Sequence, residues 1–158
     1  MKRNLLILNA LFFILISCKH DSMNTQQEKL HEFGQRYTEA WNSQNPENVA
    51  SFFSEQGALI VNEGEPYTGR NEITEFTKGF MDAFPDLQLT MDSLVQESSF
   101  TDYHWSFIGT NTGPGGTGNS VEFSGFERWT LDEEGLIKVS IGTFDEDDYT
   151  RQVKGTTD

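Results

Sequence analysis

The sequence predicts an α+β domain with helices packed on one side of a curved antiparallel sheet, and three observations predict it. Apolar residues recur at helical spacing as far as Pro85 and then alternate with period two. The later alternating runs are joined by two turn-forming segments, Gly113-Pro114-Gly115-Gly116-Thr117-Gly118 and Asp132-Glu133-Glu134-Gly135, both suited to hairpins. The chain has 158 residues, is 35% hydrophobic and carries 13 Phe, enough for one core, with no internal repeat and no second domain. Helices first and long strands afterwards is the order of an α+β architecture.

The N-terminus reads as an address. Lys2 and Arg3 precede an apolar run from Leu5 to Ile16 broken only by Asn9. As a helix this run is about 18 Å long, against a hydrocarbon core of roughly 30 Å, so it is too short to span and has the length of a signal-peptide core. It ends Leu15-Ile16-Ser17-Cys18, and Cys18 is the only cysteine of the chain. This resembles the lipobox of bacterial lipoproteins, in which the thiol after the cut is diacylated. The expected organisation is a signal peptide over 1–17, a tether over 18–25, a domain over 26–154 and a tail over 155–158. Lys19, standing where Asp retains such proteins in the inner membrane, points to the outer membrane of a bacterial envelope.

Each element then has its own signature. Leu30, Phe33, Tyr37, Ala40 and Trp41 form a helical stripe between Gln26 and Asn42. Asn45-Pro46-Glu47 is an N-cap, a proline at the first helical position and an acid in the first turn; Val49, Phe52 and Phe53 are the expected buried side of that short helix. Gly57 to Asn62 is a short strand. Asn71 is the expected cap of a third helix, whose Ile73, Phe76, Phe80 and Phe84 lie on one face and which Pro85 stops. Leu87, Leu89 and Met91 open the sheet, followed by strands near 99–112, 119–131 and 136–144 and a last helical segment from Glu146 to Val153.

Charge and composition exclude several functions. There are 25 Asp and Glu against 11 Lys and Arg, a net of −14. Such a surface repels nucleic acid and anionic lipid. Loss of 1–17 would leave nine basic residues against the same 25 acids, a net of −16. A single Cys and three scattered His supply neither a disulfide nor a His/Cys metal site. The run Asp145–Asp148 lacks the glycine and distal Glu of a calcium loop. The glycine-rich turn lies between strands with no helix behind it, so it is not a phosphate cradle.

Phe84-Pro85-Asp86, Gly109-Thr110-Asn111-Thr112-Gly113, Asp145 with Gln152 beyond it, Trp41-Asn42 and Tyr67-Thr68-Gly69 together resemble the SnoaL-like polyketide cyclases of the wider nuclear transport factor 2-like superfamily. The likeness runs from about Gln26 to Lys154. It implies a cone-shaped, curved antiparallel sheet with three N-terminal helices packed on it, a cystatin-like roll enclosing an apolar cavity. In the cyclases a His at a Gly-Thr-His-x-Gly strand end and a late Asp do acid–base work on a ketone. The Asp position falls on Asp145; the His position falls on Asn111, and Ile141 stands where a Trp-containing stretch is usual.

Proton abstraction beside a carbonyl needs a carboxylate of raised pKa and a donor for the developing oxyanion. Asp145 is the candidate base and Asn111, whose amide can donate but not exchange a proton, the candidate donor. The competing role for Asp145 is an N-cap ahead of Glu146-Asp147-Asp148. Strand alternation puts Tyr103, Trp105, Phe107 and Asn111 on one face of their strand, lining the cavity if Asn111 looks into it. It puts Val139, Ile141, Thr143 and Asp145 on one face of the last strand, which suits an inward wall ending in a carboxylate. Trp41, Tyr67, Phe80, Trp105 and Phe107 are the expected substrate-binding residues. His104 has the outward parity, and Arg128 suits a cross-strand ion pair better than a substrate grip. The expected function is a lipid-anchored protein with an apolar pocket, performing isomerase- or cyclase-type acid–base chemistry on a small hydrophobic carbonyl compound. The alternative is a non-catalytic binding or structural, dimerising lipoprotein domain. No cofactor is implied, the membrane is met only through the anchor, and a homodimer is expected by analogy with the fold.

Overall fold

A computed structural model describes residues 25–156. The signal peptide, Cys18 and all of the tether but Thr25 lie outside the described residues. The chain divides into two compact units, Met1–Phe33 and Gly34–Asp158. In the first, residues 25–33 are helical; the second carries the sheet and everything argued below.

Residues 25–42 are helical (α1), and in the second unit Tyr37, Ala40 and Trp41 are buried as the stripe requires. Helix α2 spans Pro46–Ala50, with the Asn45 side chain accepting from Glu47 N and Pro46 in the first turn. It is shorter than the sequence suggests. Phe53 is fully buried, but as the first residue of strand β1 (Phe53–Val61). After β2 (Tyr67–Thr68), helix α3 runs Gly69–Ala83 and is capped at Thr68 rather than Asn71. Gly69 at φ +80° makes that early start possible, since its left-handed backbone turns the chain straight from strand into helix. The buried stripe of α3 is Ile73, Thr77 and Met81, one turn apart, while Phe76 and Phe80 beside it are half-buried. The helix ends before Pro85, which disfavours helical backbone at Phe84.

Four long strands follow: β3 (Gln88–Gln96), β4 (Thr101–Thr110), β5 (Ser120–Leu131) and β6 (Ile137–Phe144), then helix α4 (Glu146–Lys154). The sheet order is β2-β1-β6-β5-β4-β3. The sheet is not wholly antiparallel. β1 lies parallel to β6, with Leu59 opposite Ser140, because the whole chain between them serves as the crossover. Register shifts at Met91/Ser93 and Thr130/Leu131 are bulges, which bend strands and give the sheet its curvature.

The inner face of the sheet carries Tyr103, Trp105 and Phe107 from β4 and Val121, Phe123 and Trp129 from β5. Gly125 is the gap that seats Trp105: a Cβ there would stand 2.7 Å from Trp105 Cζ2 and 2.4 Å from the Thr143 carbonyl oxygen. On β6 the inner residues are Ser140, Gly142 and Phe144, whereas Ile141 is 40% exposed. The expected inward face of this strand, Val139-Ile141-Thr143-Asp145, is therefore the outer one.

Candidate functional site

A cavity of ≈ 60 Å³ lies in the second unit, among Trp41 of α1, Phe76 and Phe80 of α3, and the inner residues of β4, β5 and β6. At the ~10–15 Å³ that a single water needs, this holds several water-sized bodies. Its walls are aromatic and aliphatic, and among the described residues one ionisable side chain lines it: Glu127.

Glu127 sits on the inward parity of β5 between Gly125 and Trp129, opposite Tyr103 on β4 and Gly142 on β6. It is 6% exposed. One oxygen is saturated. Oε2 accepts from Ser140 Oγ at 2.7 Å, Trp129 Nε1 at 2.9 Å and Tyr37 OH at 3.1 Å. Oε1 has only the longer arm of the Tyr37 hydroxyl, at 3.3 Å. Tyr37, Trp129 and Ser140 are fully buried and come from α1, β5 and β6, so three elements fix the carboxyl. An indole N–H can only donate, so Oε2, which accepts it together with two hydroxyl bonds, is the less favoured seat for a proton and Oε1 the more favoured.

Burial raises the Glu127 pKa above the ordinary carboxylate range, because desolvation penalises the anion; the three donors, which favour the anion, offset this in part. The Tyr37 phenol is pushed well up, first by burial and then by the Glu127 charge. Burial likewise raises Tyr103, whose hydroxyl lies 2.6 Å from Thr38 Oγ1 and whose ring stacks on Trp129 at 4.7 Å. A carboxyl of raised pKa in an apolar cavity is the arrangement that acid–base chemistry at neutral pH requires. Trp105 Nε1 is buried at the cavity wall and makes no hydrogen bond among the described residues.

Four of the five expected substrate-binding residues, Trp41, Phe80, Trp105 and Phe107, meet at this cavity. Tyr67 does not line it; it is 37% exposed and packs at 4.6 Å on Phe76, which does. The expected acid–base pair is placed elsewhere. Asp145 is exposed and caps α4, Oδ1 accepting from Asp148 N at 2.9 Å. Asn111 spends both ends of its amide on backbone: Nδ2 donates to Ala83 O at 3.2 Å and Oδ1 accepts from Thr117 N at 2.9 Å. It pins the β4–β5 connection to the end of α3. Asn111→Ala is expected to cost about 1–3 kcal/mol, because the Thr117 N–H and the Ala83 carbonyl lose this partner, read from the denaturation midpoint. Gln152 docks α4 on β5, donating to Glu122 O at 2.8 Å and accepting from Glu122 N at 2.7 Å. On the outer face Arg128 grips Asp102 with two bonds at 2.8 and 2.7 Å and lies 4.0 Å over the Phe100 ring, while His104 packs beside Phe126.

Glu127 is the residue that the sequence reading missed. Its signal was available: Val121, Phe123, Gly125, Glu127 and Trp129 share one parity, and a lone acid on an otherwise apolar strand face is an expensive choice.

The SnoaL-like domain profile matches residues 35–139, about two thirds of the chain. The chain belongs to the SnoaL-like domain family. No curated protein matches it. Among solved structures it is similar to a candidate SnoaL-like polyketide cyclase from Jannaschia sp. CCS1 (17% identity, 80% of this chain and 92% of that one, TM-score 0.71). A protein with a ketosteroid isomerase-like fold from Catenulispora acidiphila, in complex with trimethylamine, is also similar (14% identity, 80% and 98%, TM-score 0.69). So is a candidate polyketide cyclase from Xanthomonas campestris (19% identity, 80% and 97%, TM-score 0.66). At these identities the likeness shows the fold.

Proposed function

We propose that the domain takes a compact, largely apolar molecule into the Glu127 cavity and acts on it by cofactor-free proton transfer, with Glu127 as the acid–base group. The observation that carries this reading is one buried carboxyl on the wall of an aromatic cavity, clamped by three donors on Oε2 and held more loosely at Oε1. Membership of the SnoaL-like family, with candidate polyketide cyclases among the similar structures, supports the reaction class, and the trimethylamine held by the Catenulispora protein supports a ligand of few heavy atoms. Asp145 and Asn111 have no part in it, since each is committed to a cap or a loop.

Proton transfer is tested by α-deuterium exchange of small ketones in heavy water, followed by NMR. Glu127→Gln is expected to slow exchange by about 10²–10⁴-fold, the ordinary worth of a positioned general base. Asp145→Asn is expected to leave the rate unchanged, because Asn caps a helix as well as Asp does. Exchange that survives Glu127→Gln, or is lost with Asp145→Asn, would remove the role assigned to Glu127.

Delivery to the bacterial envelope through a diacylated Cys18 is part of the same proposal. Lys2-Arg3, the apolar run and Ser17-Cys18 support it, as does Lys19 for the outer membrane. Cys18→Ser protein is expected in the soluble fraction. Its continued sedimentation with membranes would argue for a different anchor.

A further inference from the structure

We propose that the group seated in the Glu127 cavity is a compact, methyl-rich alkylammonium ion. The inference rests on the pocket reading above and does not depend on turnover. Three features of the cavity lead to it.

The first is charge. Glu127 is buried, accepts only from neutral donors, and has no Lys, Arg or His in the cavity wall. An anion in that setting lacks a counter-ion, which a cationic head group beside the reacting part of a ligand would supply. The second is the wall. Trp41, Phe80, Phe107, Phe123, Trp105 and Phe144 form an unbroken series of ring contacts, with centroids 6.4, 6.0, 4.9, 5.6 and 6.3 Å apart in that order. Ring faces attract cations, and a desolvated cage of several rings suits methylated ammonium groups. The third is the scarcity of acceptors. A primary ammonium carries three N–H donors and a metal ion wants several oxygens, but the ionisable groups of the wall amount to one carboxylate, Glu127. No group of three His, Cys, Asp or Glu able to hold a metal occurs among the described residues. An ammonium whose hydrogens are mostly replaced by methyls needs little more than that carboxylate and the rings. The cavity of ≈ 60 Å³ sets the size: a head group of a few heavy atoms.

The test compares tetramethylammonium with tert-butanol, a neutral molecule of the same heavy-atom count, on the full-length protein. Binding is followed by indole shifts of Trp41 and Trp105 in NMR and by calorimetry, in excess sodium chloride. The cation is expected to bind at least about tenfold more tightly than the alcohol, or about 1.4 kcal/mol. Its affinity should fall by at least a similar factor in Glu127→Gln, and the alcohol's should not. The wild-type protein gives the same answer without a variant: cation affinity should drop as acid protonates Glu127, while that of the alcohol stays level. Glu127 is faced by Tyr37 from α1 and Tyr103 from β4, both of which stay neutral in that range, and by the non-titrating Trp129 and Ser140. Equal binding of cation and alcohol would overturn the charge argument and leave the pocket. Binding of neither would overturn both. Tetramethylammonium displaced by sodium, with no shift at either indole, would assign the attraction to the acidic surface and overturn the proposal.

Discussion

Trp129→Ala is expected to cost about 3–5 kcal/mol of stability, the range for removing a large aromatic side chain from a core. Trp129 is fully buried, stacks on Tyr103 at 4.7 Å and 15°, and takes the edge of Tyr37 at 5.1 Å. It joins α1 to the sheet and so belongs to the packing that holds the cavity open. Truncation also takes the donor-only partner from Glu127 Oε2. Trp129→Phe separates the two contributions, since it keeps most of the ring and loses the N–H. That change should cost about 1.5–3 kcal/mol, the worth of one hydrogen bond to a charged acceptor, since Ser140 and Tyr37 still donate to the same oxygen. Both are read from chemical denaturation, where the midpoint should move and the slope should hold. An alanine variant within about 1 kcal/mol of wild type would mean that the stack is not a core element.

The architecture was legible wherever a local rule governs it. The change of period at Pro85 separates helices from sheet because side-chain direction repeats every 3.6 residues in one and every two in the other. Asn45-Pro46-Glu47 starts α2 because an Asx cap and a first-turn proline both act within three residues. What local rules do not govern was not legible. Periodicity states which face of β1 is apolar but not which strand it joins or in which direction, so the parallel pairing with β6 was missed. Thr68 and Gly69 start α3 ahead of Asn71 because the strand pairing of β2 holds Thr68 extended, a tertiary contact that a capping rule does not contain.

The cavity was legible in its walls, and the buried carboxyl on it was not. Trp41, Phe80, Trp105 and Phe107 follow from apolar periodicity, which is what a cavity wall and a core have in common. The family positions for polar groups carry structural work in this chain: Asp145 caps α4 and Asn111 closes a loop. Ile141 misled further, since a large apolar residue on β6 suggests an inward face that Ser140, Gly142 and Phe144 in fact form. Small inner residues on β6 leave room for the Glu127 carboxyl, and Ser140 supplies its shortest bond. Arg128, the adjacent charge, drew attention on the outer face while its neighbour carried the inner one.

Glu127→Gln is expected to reverse sign between function and stability. The folded state raises this carboxyl above its unfolded value, so between the two values the native protein binds more protons than the unfolded chain. Stability contributed by this group therefore falls as pH rises through that window, and the cost of the buried anion is fully present above it. Gln carries no charge to desolvate, and its carbonyl oxygen can keep the bonds from Trp129, Ser140 and Tyr37. The variant should match wild type in acid, exceed it in alkaline buffer and lack this part of the pH slope, as denaturation across a pH series would read. Proton exchange and cation binding should be lost in the same variant. That opposition is what a functional carboxylate predicts, because a group held in an unfavourable ionisation state for its chemistry lowers the stability of the fold that holds it. A structural anion predicts the contrary above that window: the variant would be less stable than wild type in alkaline buffer, because the three donors would then stabilise the anion by more than burial costs it.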